Sequence, residues 1–179
     1  MKTLLTEAQL HEGIRRMAGE IRQHYADRPL TIVGVLIGSV VLLADLIRLL
    51  DLPLRVGMVQ ARSDGNAMRP GPLVINLDLL ASDVRGRHVL LVDDIFHTGN
   101  TLWELIPQLD ELGPASIKTA VMLLKQGRSE VPIKPDFVAF DVPSDAFVVG
   151  YGLDHRDRYR NLPSLAVLEA AELGEEPPA

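Results

Sequence analysis

Residues 89–101 read VLLVDDIFHTGNT. Val89, Leu90, Leu91 and Val92 run without polar alternation, the pattern of a strand buried on both faces of a parallel sheet, and His88 to Ile95 is the strongest central-strand signal in the chain. Two consecutive carboxylates, Asp93 and Asp94, stand at the carboxyl end of that strand. Burying them unpartnered would be expensive, so they require partners. Behind them His97-Thr98-Gly99-Asn100-Thr101 supplies two hydroxyls, a glycine able to turn left-handed, and a row of backbone N–H groups opening onto a helix. Such N–H groups and the positive end of a helix dipole make an anion site, most simply for a phosphate monoester. A dinucleotide fold would place a Gly-rich turn first and an acid later, and a Walker-type loop would need a Gly-Lys-Ser/Thr. Acid pair followed by phosphate cradle suits a ribose 5-phosphate, with the carboxylates accepting from the 2′ and 3′ hydroxyls or holding a hydrated Mg²⁺. The alternative is that the acids cap the turn and bind an arginine.

Outward from this segment, helices and strands alternate. Thr6 and Gln9 form a capping-box pattern ahead of Leu10, Ile14, Met17 and Ile21, which predicts an amphipathic first helix. Arg28-Pro29 ends it; residues 31–36 (TIVGVL) read as a buried strand, 40–50 as a helix and 54–60 as a strand. Residues 61–72 (ARSDGNAMRPGP) are polar with Gly and Pro, a stretch of the length that often serves as a lid. Residues 73–80 (LVINLDLL) predict a strand and 83–86 a turn. After the central strand come a helix over 101–112 that contains Pro107, a stop at Gly113-Pro114, and a strand over 118–124. A loop follows over 126–135, then strand-like pieces at 137–142, 147–151 and 165–168 and an acidic tail from 169 that is expected to fray. The expected fold is α/β, a central, mostly parallel twisted sheet flanked by helices in one domain over residues 1–168. Open sheets of this kind bind ligands outside the carboxyl ends of their strands, which directs attention to the loops after Leu36, Gln60, Ile95 and Leu124.

Composition narrows the function classes. Eighteen Lys plus Arg against 24 Asp plus Glu give the 179-residue chain a net charge of −6, with Glu169, Glu172, Glu175 and Glu176 in its last stretch. No basic patch supports nucleic-acid binding. With no cysteine there is no disulfide framework, zinc-thiolate site or thiol nucleophile, and a cytoplasmic location is expected. The longest uncharged apolar stretch, residues 32–44, is shorter than the roughly 20 residues of a membrane span, so no membrane partner is expected.

The segment with the acid pair resembles the phosphoribosyl-diphosphate signature of the type I phosphoribosyltransferases. Lys125 after AVMLL, KPDFVAFDVP (134–143), FVVGYGLD (147–154), YRNLP (159–163) and GVLIGSVVLLADLIR (34–48) are similar to the hypoxanthine-guanine branch of that family. The resemblance covers roughly residues 5–168. It implies a small hood made by the N- and C-terminal segments, and a Mg²⁺-dependent displacement of pyrophosphate from phosphoribosyl diphosphate by a 6-oxopurine, in a homodimer or homotetramer. It further implies that Asp93, Asp94, His97, Thr98, Gly99, Asn100 and Thr101 hold the phosphoribosyl group. Leu36, Ile37, Gly38 and Arg160 would hold pyrophosphate, Asp154 would contact the metal with Asp93 and Asp94, and a non-proline cis peptide would lie in the 36–39 loop. Lys125 would donate to the exocyclic oxygen at position 6 of the purine, Phe147 would stack on its ring, and Val148 would read its edge through main-chain groups. Taken singly, Asp154 reads as a loop acid, Arg160 as a surface ion pair and Phe147 as core, and only the surrounding motifs reverse that.

The chain departs from the branch at three places. His97 stands where the branch usually has Asp, the base that manages the proton on purine N7; a histidine near its reference pKa of ~6.5 can accept that proton. It could otherwise be a phosphate donor or face solvent. Ile37 replaces the usual Lys, and Gln60-Ala61-Arg62-Ser63 replaces Ser-Ser-Tyr-Gly, with Arg62 and Arg69 available to clamp pyrophosphate. The remaining histidines, His11, His24, His88 and His155, lack metal-ligand spacing and read as surface or strand-edge residues. Two other readings fit the acid-pair motif: a uracil transferase that also binds RNA as an attenuator, and a non-catalytic sensor of phosphoribosyl diphosphate or nucleotide.

Overall fold

The computed structural model describes residues 1–60 and 80–174. The central sheet consists of β2 (Leu30–Leu36), β3 (Leu54–Gln60), β4 (His88–Phe96), β5 (Ser116–Lys125) and β6 (Phe137–Val142), all parallel, in the order β3-β2-β4-β5-β6. The apolar run in β4 has the expected cause. Leu90 and Val92 enter the core on one face while Val89 and Leu91 enter the core on the other, so no position is left for a polar residue.

Each face is covered by helices. The long α1 (Glu7–Tyr25) and α2 (Val40–Leu49) bury Leu10, Ile14, Met17, Ile21, Leu42 and Leu46 on the first face. The single turn α3 (Ala81–Val84) and α4 (Asn100–Asp110) bury Val84, Leu102, Leu105 and Leu109 on the second. α1 starts on the predicted capping box: Thr6 accepts from the Gln9 N–H, and the Gln9 side chain accepts from the Thr6 N–H.

This arrangement fixes where a ligand can enter. From β2 the chain leaves to α2 on one face, whereas from the adjacent β4 it leaves to α4 on the other. The two connections diverge, opening a crevice at the carboxyl ends of β2 and β4, the topological switch point of the sheet.

A second, antiparallel sheet joins β1 (Lys2–Leu5), β8 (Leu165–Val167) and β7 (Val148–Val149) in the order β1-β8-β7, bringing the two ends of the chain together. β1 is absent from the sequence reading because KTLL has no pattern of its own; it exists only through pairing with β8. β7 is shorter than the expected 147–151 strand because Gly150, Tyr151 and Gly152 all take positive φ and leave the sheet. The tail does not fray at its start: Glu169 caps α5 (Ala170–Leu173), with Glu172 closing the capping box. A turn was expected at 83–86, and α3 occupies its first half. The expected lid (61–72) and most of the expected 73–80 strand lie outside the described residues. Among the described residues no helix is long and apolar enough to cross a membrane.

Two glycines of α1 make the packing testable. A Cβ on Gly13 would lie 2.0 Å from the Phe140 ring of β6, while one on Gly19 would meet nothing within 4 Å. Gly19→Ala is expected to stabilise the chain by up to about 1 kcal/mol. Gly13→Ala, despite the same gain in helix propensity, is expected to destabilise it by about 1–3 kcal/mol through overpacking. Urea denaturation of both variants checks the opposite signs.

Candidate active site

The crevice between β2 and β4 holds a cavity of about 410 Å³ whose lining includes Leu36, Gly38, Asp93, Asp94, His97, Thr98, Gly99, Thr101, Asp154 and Arg160. Residues separated by up to 124 positions in sequence thus meet at one place. Ile37, Asn100, Lys125, Phe147 and Val148 do not line this cavity.

Asp93 is 7% exposed and Asp94 half-buried at the end of β4. Asp93 accepts from the Asp94 N–H at 2.9 Å and Asp94 from the Ile95 N–H at 2.7 Å; neither makes an ion pair among the described residues. The arginine-capping alternative is therefore not what the pair does. Burial and the adjacent Asp94 push the Asp93 carboxyl well above the usual carboxylate range. Burial also raises Asp94, against the opposing pull of its hydrogen bonds and Arg160. Two such groups cannot both ionise comfortably until a cation or hydroxyl donors arrive.

The phosphate cradle follows directly. Gly99 is the N-cap of α4 in the left-handed conformation (φ 87°) and has no side chain to cap the helix; the Asn100 N–H reaches the Thr98 hydroxyl at 3.5 Å, and the N–H groups that follow are left for a ligand. The loop before β6 backs the turn: the Glu130 N–H donates to the Thr98 carbonyl at 2.9 Å. The Asn100 side chain turns toward Glu130 at 3.4 Å instead of the cavity.

The opposite wall is built by close approach. The Leu36–Ile37 peptide is cis, and a Cβ on Gly38 would fall 1.6 Å from Asp94 Oδ2, so only glycine lets the loop lie against the acid pair. Ser39 bonds back to the Val35 carbonyl at 2.6 Å and caps nothing. Ile37 itself is 52% exposed. Arg160 completes the wall, donating to the Gly152 carbonyl and pairing with Asp154, each at 2.7 Å.

Beside the cavity lie the residues expected to read a base. Lys125 ends β5 without an ion pair among the described residues, and burial followed by the charge of Arg128 lowers its pKa. Phe147 is 38% exposed. The Leu168 N–H donates to the Phe147 carbonyl at 2.9 Å, which makes Val148 and Val167 a non-hydrogen-bonded antiparallel pair. The Val148 N–H and C=O therefore point away from β8, toward the open edge of the hood sheet, as main-chain reading requires. His97 is exposed; burial and the nearby Lys125 and Arg128 lower its pKa, so its neutral, proton-accepting form dominates at neutral pH.

One residue escapes the sequence reading. His155 is no surface histidine: its ring stands edge-on to Phe147 at 5.1 Å, with Nε2 enclosed and unpaired. Nothing in its sequence neighbourhood signals this, because the left-handed turns after Asp154 decide where it lands.

Among the described residues no preformed cluster of three or more His, Asp or Glu could hold a metal. Mg²⁺ does not need one, since it commonly takes one or two carboxylates and completes its shell with water and substrate oxygens. The hard oxygens of Asp93 and Asp94, raised in pKa by burial, together with Asp154 on the same cavity, fit that requirement.

The phosphoribosyl transferase domain model matches residues 2–156. The chain is 39% identical to the hypoxanthine-guanine phosphoribosyltransferase of Aquifex aeolicus over 170 residues, 94% of this chain and 95% of that one. It is 39% identical to the Bacillus subtilis enzyme of the same name over 171 residues, 95% and 94% of the respective chains. Its fold is similar to that of a Bacillus anthracis hypoxanthine-guanine phosphoribosyltransferase, with TM-score 0.85, 31% identity, and coverage of 94% of this chain and 99% of the other.

Asp93→Asn separates the site's purpose from stability. Because the folded-state pKa lies above the unfolded value, the native carboxyl keeps a proton that the unfolded chain releases, and stability falls as pH rises through the raised value. The wild type is expected to be less stable at pH 8 than at pH 5, and Asp93→Asn to lose less stability over the same interval, while binding phosphoribosyl diphosphate poorly. Urea melts at the two pH values and a ligand titration check both halves.

Proposed function

The chain belongs to the phosphoribosyltransferase family, and from that membership we propose that it transfers the ribose 5-phosphate of phosphoribosyl diphosphate to hypoxanthine or guanine. The products are IMP or GMP and pyrophosphate, a purine-salvage reaction. The observation that carries this reading is the crevice in which a buried acid pair, in no ion pair among the described residues, faces a helix N-terminus whose N-cap is a glycine, with Lys125, Phe147 and Val148 in the strands and loops beyond it. The names of the Aquifex and Bacillus relatives support the same substrate class.

The 5-phosphate seats on the N–H groups of Thr98 to Thr101, and Asp93 and Asp94 accept from the ribose hydroxyls. Pyrophosphate lies along Leu36 to Gly38, within reach of Arg160. Bound Mg²⁺, held by Asp154 with Asp93 and Asp94, supplies charge neutralisation to the leaving pyrophosphate. Lys125 donates to O6 of the purine and so selects a base that carries an oxygen there, while Phe147 stacks on the ring and Val148 pairs with its edge. A ring nitrogen of the purine forms the new bond to C1 of the sugar as the bond from C1 to the pyrophosphate oxygen breaks with its electron pair. The proton that the purine sheds passes to neutral His97.

Incubation with phosphoribosyl diphosphate, Mg²⁺ and each of hypoxanthine, guanine, xanthine, adenine and uracil tests the reading. Nucleotide from hypoxanthine or guanine supports it; turnover of uracil alone, or binding without turnover of any base, overturns it.

His97→Ala is expected to lower kcat by roughly 100-fold, the ordinary worth of a general base, with little change in the KM for phosphoribosyl diphosphate. The acid limb of kcat/KM is expected below pH 6.5, since the imidazole must be unprotonated and its pKa is lowered. His97→Asp is expected to move that limb to lower pH, and a pH–rate series on the two proteins checks the assignment.

A further inference from the structure

Tyr151 is 3% exposed, yet its backbone is left-handed (φ 49°), a conformation that a bulky residue adopts only when its surroundings hold it there. Its hydroxyl donates to Asp45 Oδ2, in the second half of α2. The other oxygen of Asp45 pairs with Arg48, and His11 Nε2 of α1 stands 3.7 Å from Oδ2. On the backbone side the Tyr151 N–H donates to the Leu162 carbonyl at 2.9 Å. The next residue, Gly152, donates to the Arg160 carbonyl at 3.0 Å and accepts from the Arg160 guanidinium at 2.7 Å. Gly152 also presses on the other side of the crevice: a Cβ there would lie 2.2 Å from the Gly38 carbonyl oxygen.

These contacts form one chain of support. α2 carries Gly38 just ahead of its N-terminus and Asp45 within it; Asp45 holds Tyr151, Tyr151 holds Gly152, and Gly152 holds Arg160. We propose that Tyr151 and Asp45 are a positioning pair that sets Arg160 against the Gly38 loop, and so determines the grip on pyrophosphate. The inference rests on the transferase reading. Neither side chain lines the cavity, so neither is a catalytic residue. Burial and Asp45 both push the phenol pKa up, which keeps the hydroxyl protonated and donating throughout the working pH range. The base-reading residues Phe147 and Val148 precede the left-handed run and are held by pairing with β8, so the pair should act on one substrate more than on the other.

The experiment compares wild type with Tyr151→Phe, Asp45→Ala, Asp45→Asn and the double variant Tyr151→Phe/Asp45→Ala. Tyr151→Phe and Asp45→Ala should each raise the KM for phosphoribosyl diphosphate and the inhibition constant of pyrophosphate by about tenfold, the order expected for losing a hydrogen bond to a charged acceptor. The KM for hypoxanthine should change by less than about twofold, which is within roughly 0.4 kcal/mol. Asp45→Asn, which keeps an acceptor oxygen, should restore most of the lost affinity, and the double variant should be no worse than either single one. Lower melting temperatures with unchanged constants, or equal rises for both substrates, would overturn the proposal. If the wild type turns over no purine, the transferase reading is what fails. Calorimetric titration of pyrophosphate with Mg²⁺ then decides the pair independently: weaker binding in Tyr151→Phe and Asp45→Ala upholds it, and equal binding in all the proteins rejects it.

Discussion

Two adjacent carboxyls buried at the end of a central strand, neither in an ion pair among the described residues, constrain everything near them. Asp93 accepts one backbone N–H and Asp94 another, which covers only part of their capacity. The protein leaves the remainder open. Packing makes this possible: Gly38 has no Cβ to occupy the space that Asp94 uses. Any alanine or larger residue at 38 would displace the acid or the loop, so the pair and the glycine have to be understood together. An acid pair held short of satisfaction lowers the stability of the free protein and leaves binding capacity for hydroxyl donors and a cation.

The sheet was legible because its physics is local. A strand covered on both faces must be apolar at nearly every position, and 32–36, 89–92 and 120–123 meet that requirement in the sequence itself. The α1 start was legible for the same reason, since a capping box needs only Thr6 and Gln9. The acid pair, the turn after it and Lys125 all sit at carboxyl ends of such strands, so recognising the strands placed them. What escaped depends on partners remote in sequence. β1 has no signal apart from β8, and the helical turn at 170–173 depends on Glu169 and Glu172 capping each other in a segment whose charge suggested fraying. His155 lies against Phe147 in a loop where Arg156, Asp157 and Tyr159 take positive φ, a run of left-handed residues that the sequence does not announce.

The hood shows how a weak element can still be accurate. β7 contributes only Val148 and Val149, too little for an independent sheet, and its register is fixed by β8, which in turn holds β1. The outcome is a main-chain donor and acceptor at Val148 on an open edge, while the side chain is buried and fixes the strand's rotation. An edge strand is ordinarily a liability because it can pair with another strand. At two residues it is too short for that, yet long enough to present one peptide edge to a planar ligand.

The departure at position 97 is the sharpest test of whether the chemistry survives a change of residue, and electrostatics argues that it does. Burial first, and then the charges of Lys125 and Arg128, oppose charging of the imidazole. For the aspartate usual at this position in the hypoxanthine-guanine branch, the same two cations would favour the charged form. A field that keeps a histidine neutral is the field that keeps an aspartate ionised, and both states accept a proton at neutral pH. The positive environment around Lys125 and Arg128 therefore preserves a proton acceptor at 97 with either residue. What changes is the neighbouring charge: an aspartate would offset part of the Lys125 and Arg128 field, and a neutral histidine leaves that field whole.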